Sequence, residues 1–260
     1  MNIAVIPARF ASTRFPGKPL ALIDGRPMIW HVYQRCLRAK RIDATFVATD
    51  DERILREVGR WGGEAVMTRR DHPSGTDRVA EVAGGLSAEI VVNVQGDEPL
   101  IDPTMIDALI EALQCSEEVG MTTPVTRVKN RDELFDPTVA KVVRDARGCA
   151  LYFSRSPIPF VRDHPFFSPG EDPSATVEWP PDLPLFRHIG IYAYRRKALL
   201  EFCRLSPSPL EEAEKLEQLR ALENGIPILT VEVAYDGIGV DTPEDLKEVE
   251  RRLRASHASP

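Results

Sequence analysis

The chain opens on the apolar run IAVI at residues 3–6 and passes directly into PARFASTRFPGKP at residues 7–19. The apolar run predicts a buried β-strand, so the segment after it is a loop at the carboxyl end of that strand. This loop carries three cations, Arg9, Arg14 and Lys18. Three cations at a strand end suit a triphosphate that is gripped along its length. A solvated basic turn is the alternative for any single cation, but their clustering favours an anion site.

The loop differs from the two common phosphate-binding motifs. A P-loop has a glycine five residues before its Gly-Lys pair, whereas Ser12 occupies that place before Gly17 and Lys18. The dinucleotide motif GxGxxG is absent from the first unit of the sequence. The Ser12 hydroxyl adds a polar group, and Gly17 permits a close approach of the backbone. The sequence therefore predicts a phosphate-binding loop of another kind.

Composition indicates a folded enzyme-sized protein. The chain has 260 residues, of which 43% are hydrophobic, so it can fill a sizeable core. A formal net charge of −7 argues against a broad surface for nucleic acid or for an anionic membrane. Because no apolar run approaches membrane-spanning length and no signal-peptide pattern opens the chain, we expect a cytoplasmic protein. The scattered cysteines predict reduced core thiols: Cys36, Cys115, Cys149 and Cys203.

Spacing of the apolar runs predicts an α/β fold. Strand-length runs alternate with helix-length segments through the first 120 residues, which is typical of a mostly parallel sheet. The loops after parallel strands meet at one edge of the sheet and form the site. The runs lie at residues 3–7, 44–48, 64–67 and 90–94, and the loops at residues 7–19, 49–51, 68–77 and 95–99.

A smaller β-rich extension is predicted after residue 120. We divide the chain into a core (1–120), an extension (121–195) and a C-terminal α/β segment that returns to the core (196–260). Strands are expected at 119–128, 139–143, 150–153, 186–194 and 228–233, helices at 210–224 and 243–253, and a hairpin turn at DARG, residues 145–148. The proline-rich residues 156–184 predict an irregular excursion, which is either a lid or an arm that contacts a second subunit.

Two aspartates stand at expected strand ends. Asp97 lies in QGDEP at residues 95–99, and Asp241 follows GIGV at residues 237–240. Each is also suited to cap the helix that follows it. With no His or Cys nearby, carboxylate oxygens that converge at one edge favour Mg²⁺, held by the protein and by substrate phosphates.

Several further segments, in one order along the whole chain, give the sequence a family likeness. They are DHPSGTDR (71–78), NVQGDEP (93–99), YFSR (152–155), RHIGIY (187–192), LEQLR (216–220) and GVDTP (239–243). With residues 7–19, they make the chain similar to the CMP-KDO synthetases, the 3-deoxy-manno-octulosonate (KDO) cytidylyltransferases of lipopolysaccharide synthesis. The resemblance implies a Rossmann-like nucleotidyltransferase fold, a homodimer, and conversion of CTP and KDO to CMP-KDO and pyrophosphate.

The resemblance also implies a role for each matching residue. Asp97 and Asp241 are the Mg²⁺ ligands, and Arg9 and Lys18 neutralise charge on the α- and β-phosphates. Ser12 and Arg14 hold the triphosphate tail. The cytosine contacts fall on Ala8, Ser74, Asp77 and Arg78, and the sugar site on Arg155, His188, Tyr192, Glu217 and Gln218; Gln95 is a further substrate-binding residue. Taken without the resemblance, His188 and Tyr192 are equally suited to a protein core, and residues 71–78 to an ordinary polar turn.

Other functions remain open at this stage. A sialic-acid cytidylyltransferase shares the fold and the CTP chemistry, although its loop usually resembles GSKGIP, where this chain has ASTRFP at residues 11–16. An enzyme for a modified sugar such as 8-amino-KDO would differ little in sequence. A nucleotide-binding regulator without catalysis is disfavoured, because Arg9, Lys18, Asp97 and Asp241 occur together.

Overall fold

A computed structural model describes residues 1–11, 15–162 and 183–258 of the chain. The predicted roles of Ser12 and Arg14, and most of the excursion at 156–184, lie outside the described residues. Among the described residues no helix is both long and apolar enough to cross a bilayer.

Strands and helices alternate through the first half of the described chain, as the apolar runs predict. The strands are β1 (Asn2–Ala8), β2 (Leu22–Ile23), β3 (Arg26–Pro27), β4 (Ala44–Thr49), β5 (Ala65–Met67), β6 (Ile90–Asn93), β7 (Met121–Arg127), β8 (Lys141–Arg144), β9 (Ala150–Ser154), β10 (Phe186–His188), β11 (Tyr192–Arg195) and β12 (Ile228–Glu232). The helices are α1 (Met28–Arg38), α2 (Glu52–Arg60), α3 (Gly75–Gly84), α4 (Pro103–Cys115), α5 (Arg131–Phe135), α6 (Arg196–Phe202), α7 (Pro209–Glu214), α8 (Leu219–Glu223) and α9 (Pro243–Ala258).

One large sheet organises the described residues. Its strand order is β5-β4-β1-β6-β11-β7-β10-β8-β9, with β12 paired to β7, and β2 and β3 form a separate ribbon. Strands β5, β4, β1 and β6 are parallel, as is the β12–β7 pair, whereas β11 runs antiparallel to both of its neighbours. The predicted α/β architecture is confirmed. The strands of the extension continue the same sheet.

Side chains of the first strand alternate between two cores. Ala4 and Ile6 face the cluster that includes α1, α2 and α4, while Ile3 and Val5 face the cluster that includes α3 and α6. Because a parallel strand between two helical layers is buried on both faces, its sequence is continuously apolar rather than alternating. This explains why residues 3–6 predict the strand so clearly.

Three sequence-based expectations are wrong. Residues 186–194 form two strands, because the chain leaves β10 at His188 and re-enters the sheet between β6 and β7 as β11. Residues 210–224 form two short helices, since Lys215 takes a left-handed backbone conformation with φ 53° that ends the first. Cys115 is exposed at the end of α4, so it is not a core thiol, and Cys149 and Cys203 are only partly buried.

Candidate active site

A cleft of about 470 Å³ opens where the carboxyl ends of β1 and β6 meet the segment before α9. Its lining comes from five separate stretches of sequence, as expected for an α/β sheet. The lining residues are Pro7, Ala8, Arg9, Ala11, Lys18, Pro19, Met28, Pro73, Ser74, Gly75, Gln95, Gly96, Asp97 and Asp241. The structure therefore brings together the four residues that carry the predicted chemistry.

Lys18 is the central contact of the cleft. Its ammonium Nζ lies 2.8 Å from Asp97 Oδ2 and 3.4 Å from Asp241 Oδ1, and it also donates to the carbonyl of Val240 at 2.8 Å. The Lys18 side chain is 15% exposed, so its charge is largely withdrawn from water and needs these oxygens. Two carboxylates that converge on one ammonium form a site for positive charge, composed of hard oxygen atoms.

Backbone contacts hold the two aspartates in place. The amide of Val240 donates to the carbonyl of Asp97 at 2.9 Å, which joins the loop after β6 to the segment before α9. A Cβ on Gly96 would lie 2.9 Å from the carbonyl oxygen of Pro7, so only glycine allows the loop after β6 to come so close to the end of β1. The glycine of QGDEP thus serves the packing of this loop against β1.

Arg9 faces the cleft and is anchored from outside the loop. Its Nη2 donates to the backbone carbonyl of His72 at 2.7 Å. One guanidinium nitrogen is thereby occupied, and the group retains donors for an anion. Ala8 also lines the cleft, as the predicted cytosine contact requires.

The other predicted cytosine residues and the substrate-binding candidate Gln95 divide into two groups. Ser74 and Gln95 line the cleft; the Ser74 hydroxyl caps α3 by accepting from the amide of Asp77 at 3.1 Å. Asp77 lines a different cavity. Arg78 is fully buried, donates to Thr68 and pairs with Asp50 at 3.2 Å, so neither Asp77 nor Arg78 lines the cleft. The sequence could not reveal this, because the Asp50 partner is distant along the chain.

A buried polar chain leads from the cleft toward the predicted sugar residues. Gln95 donates to Asn93 at 3.1 Å, Asn93 to Thr76 at 3.3 Å, and Thr76 to Glu217 Oε2 at 2.6 Å. Asn93 and Thr76 are residues that the sequence reasoning missed; each is a buried polar side chain inside a helix or a strand. The chain joins the two halves of the predicted site.

Glu217 and Gln218 have unused polar atoms. Glu217 Oε1 and Gln218 Nε2 are buried without a hydrogen-bond partner in the part of the chain that the structure describes. Desolvation raises the pKa of the Glu217 carboxyl above its ordinary value. Because unsatisfied buried polar groups are costly, these atoms are suited to pair with a polar ligand.

His188 and Tyr192 pack together. Their ring centroids are 5.4 Å apart, and His188 Nε2 lies 2.8 Å from the hydroxyl of Thr123. Desolvation lowers the pKa of His188 to about 3, so the ring is neutral near pH 7. Burial also raises the pKa of Tyr192 above its ordinary value. The pair therefore offers uncharged polar groups.

Arg155 is committed to backbone oxygens. Its Nε donates to the carbonyl of Glu214 at 2.7 Å, and its Nη1 to the carbonyl of Pro137 at 2.9 Å. The structure does not place Arg155 at the cleft; the first bond joins the residue after β9 to the end of α7, and the second reaches the segment before β8.

Glu98, next to Asp97, is a third residue that the sequence reasoning missed. It accepts from the hydroxyl of Tyr235 at 2.7 Å. Burial, partly offset by that bond, raises the pKa of Glu98 to about 7. A Cβ on Gly239 would lie 3.3 Å from Glu98 Oε1, so the Glu98 carboxyl lies close to the segment that bears Asp241.

The fold and this cleft together define a nucleotidyltransferase. A family model described as cytidylyltransferase matches residues 3–230, and the chain belongs to that family. The 3-deoxy-manno-octulosonate cytidylyltransferase of Pelobacter propionicus is 54% identical over 256 residues, which cover 98% of each chain. The protein of the same name from Syntrophotalea carbinolica is 55% identical over 251 residues, 96% of this chain and 98% of its own.

Solved structures agree with this placement. The structure of a CMP:2-keto-3-deoxy-manno-octonic acid synthetase complexed with CTP aligns with a TM-score of 0.87 at 42% identity, covering 98% of this chain and 99% of that one. A 4-diphosphocytidyl-2C-methyl-D-erythritol synthase from Anaerococcus prevotii aligns with a TM-score of 0.61 at 16% identity and shares the fold alone. The nucleotidyltransferase fold that the sequence resemblance implied is confirmed.

Proposed function

We propose that the chain transfers the cytidylyl group of CTP to KDO, giving CMP-KDO and pyrophosphate for lipopolysaccharide synthesis. The observation that carries the proposal is the convergence of Lys18, Asp97 and Asp241, beside Arg9, in the cleft of a chain whose relatives above 50% identity bear this enzyme name.

The proposed reaction proceeds without a covalent enzyme intermediate. The anomeric hydroxyl oxygen of KDO attacks the α-phosphorus of CTP in line and loses its proton. A new O–P bond forms, the bond from the α-phosphorus to the bridging oxygen breaks, and pyrophosphate leaves. Arg9 and Lys18 neutralise charge that develops on the phosphate oxygens, because preorganised cations stabilise such a transition state without reorganising.

Asp97 and Asp241 fit a divalent cation and would hold Mg²⁺. Their oxygens already converge on a positive charge, that of Lys18. No cluster of three or more metal-binding side chains occurs in residues 1–11, 15–162 and 183–258, so substrate oxygens would complete the coordination. Bound Mg²⁺ would lower the pKa of the attacking hydroxyl and offset phosphate charge.

Glu217, Gln218, His188 and Tyr192 would form the sugar half of the site. Support comes from the two unpaired atoms, Glu217 Oε1 and Gln218 Nε2, because a sugar hydroxyl can donate to the first and accept from the second. The hydrogen bonds from Gln95 through Asn93 and Thr76 to Glu217 support a sugar half beside the nucleotide cleft. Arg155 would support the sugar half indirectly, through its bond to the end of α7.

We further propose that the enzyme is a cytoplasmic homodimer. The β-rich strands that extend the sheet give an accessory surface that a small parallel sheet does not need. Sedimentation velocity at micromolar concentration measures the assembly state directly, and a single species at the 29.1 kDa mass of one chain would refute the dimer.

Pyrophosphate release measures the proposed activity. CTP is compared with ATP, GTP and UTP at fixed KDO, and KDO with sialic acid and 8-amino-KDO at fixed CTP. Turnover is expected with CTP and KDO. Turnover with sialic acid in preference to KDO would refute the assigned sugar, and no turnover with any acceptor would favour a regulator.

A further inference from the structure

The loop between β5 and α3 forms one wall of the nucleotide cleft, through Pro73 and Ser74. Two side chains of α3 hold this loop. Arg78 reaches its start, where it donates to Thr68 and, at 3.1 Å, to the carbonyl of Arg69. The second side chain is Glu81, one turn further along the helix.

Glu81 has contacts at both ends of a short stretch of the loop. Its Oε2 accepts from the amide of Arg69 at 3.2 Å and from the imidazole Nε2 of His72. The His72 side chain is 4% exposed and that of Glu81 34%. Glu81 does not line the cleft but a separate cavity on the other side of the loop.

The backbone of His72 contacts a residue that lines the nucleotide cleft, whereas its ring bonds to Glu81. Its carbonyl oxygen accepts from Arg9 Nη2 at 2.7 Å. The contacts therefore run in order from Glu81 to the His72 ring, from the His72 carbonyl to Arg9, and from Arg9 to the cleft.

We propose that Glu81 is a positioning residue for the nucleotide: it fixes His72, whose carbonyl orients the Arg9 guanidinium toward the phosphates. The inference rests on the proposed function, since it takes Arg9 as a phosphate ligand. A guanidinium binds phosphate through donors in a fixed fork, so its orientation determines how many bonds it makes. Without Glu81, the His72 ring loses its partner and the carbonyl no longer holds Arg9 in one direction.

Calorimetric titration with CTP tests the proposal on the intact protein. Glu81→Ala is expected to weaken CTP binding on the order of tenfold, the loss of one oriented charged contact. It should also lower kcat at saturating CTP and KDO, because the Arg9 guanidinium that Glu81 orients is proposed to neutralise charge that develops in the transition state. Glu81→Gln retains an oxygen that accepts both hydrogen bonds and should restore most of the affinity.

A matched control exists on α2. Glu57 is a partly exposed glutamate, 25% exposed, that pairs with Arg60 at 2.8 Å, away from the cleft. Glu57→Ala should leave CTP binding unchanged. His72→Leu removes the ring donor and keeps the backbone carbonyl, so it should weaken CTP binding as Glu81→Ala does. If the Glu81→Ala protein does not fold, His72→Leu tests the same contact.

A double-mutant cycle separates positioning from a general structural effect. In an Arg9→Ala background, Glu81→Ala should have no further effect on CTP affinity, since the group it orients is gone. An equal loss in both backgrounds overturns the proposal, as does an unchanged affinity in Glu81→Ala and His72→Leu. Failure of the wild-type protein to bind CTP would instead refute the proposed function.

Discussion

Replacement of Asp97 by Asn separates catalysis from stability in this cleft. The change keeps the shape of the side chain and removes its negative charge. Lys18 would still contact Asp241 Oδ1 at 3.4 Å and the carbonyl of Val240 at 2.8 Å, so its ammonium would not be left without partners. We therefore expect a folded protein with a defective reaction.

The two magnitudes follow from the surroundings of Asp97. Its side chain is 35% exposed, and an ion pair that is partly solvated contributes about 1 kcal/mol or less to stability. Loss of one electrostatic contact to a transition state costs about 3 kcal/mol, a fall in kcat on the order of 10² or more. The effect on kcat should thus exceed the effect on stability several-fold in free energy.

Two measurements check this expectation. Pyrophosphate release at saturating CTP and KDO gives kcat, and denaturant unfolding gives the free energy of unfolding. Asp24→Asn is a matched control, because Asp24 is also half-exposed and lies 3.6 Å from Arg254, outside the cleft. Near-normal kcat in a folded Asp97→Asn protein would refute the metal assignment, and an equal loss in Asp24→Asn would refute the link to the cleft.

Three further predictions concern the two substrates, pH and the metal. Lys18→Ala should impair the use of CTP, whereas His188→Ala and Arg155→Ala should mainly raise the KM for KDO. Weaker CTP binding by the His188→Ala protein, with an unchanged KM for KDO, would contradict the division of the site into a nucleotide half and a sugar half. The pKa of His188 is about 3 in the folded protein and about 6.5 in an unfolded chain, so between these values only the unfolded state takes up the proton. The contribution of His188 to the free energy of unfolding is therefore complete above pH 6.5. It falls by up to about 1.4 kcal/mol per pH unit as the pH decreases. Denaturant unfolding between pH 5 and pH 8 should show a shallower slope for His188→Gln than for wild type, and parallel curves would show that His188 is not desolvated. Treatment with EDTA should abolish pyrophosphate release and added Mg²⁺ should restore it; full turnover in EDTA would rule out the metal.

Local sequence was sufficient for the nucleotide half of the fold. Residues 3–6 predict a buried strand, which β1 confirms, and the cations of residues 7–19 predict an anion site at its end. Arg9 and Lys18 line the cleft there, and the bound anion stays a prediction. The hairpin at residues 145–148 was also predictable, since β8 and β9 pair across it. Such features depend on residues that are close in the chain, where composition and periodicity act directly.

Contacts between distant segments were decided only by the tertiary structure. Strands β10 and β11 separate because pairing with β7, β8 and β6 stabilises two positions in the sheet, and no pattern within residues 186–194 records those partners. Arg78 is buried because Asp50 lies beside it, and Lys18 meets Asp241 across 223 positions of sequence. The sequence by itself determined which segments form strands and which loop carries the cations. The sheet determined which of those polar side chains share a cleft, because neighbours in space are chosen by strand order and packing rather than by distance along the chain.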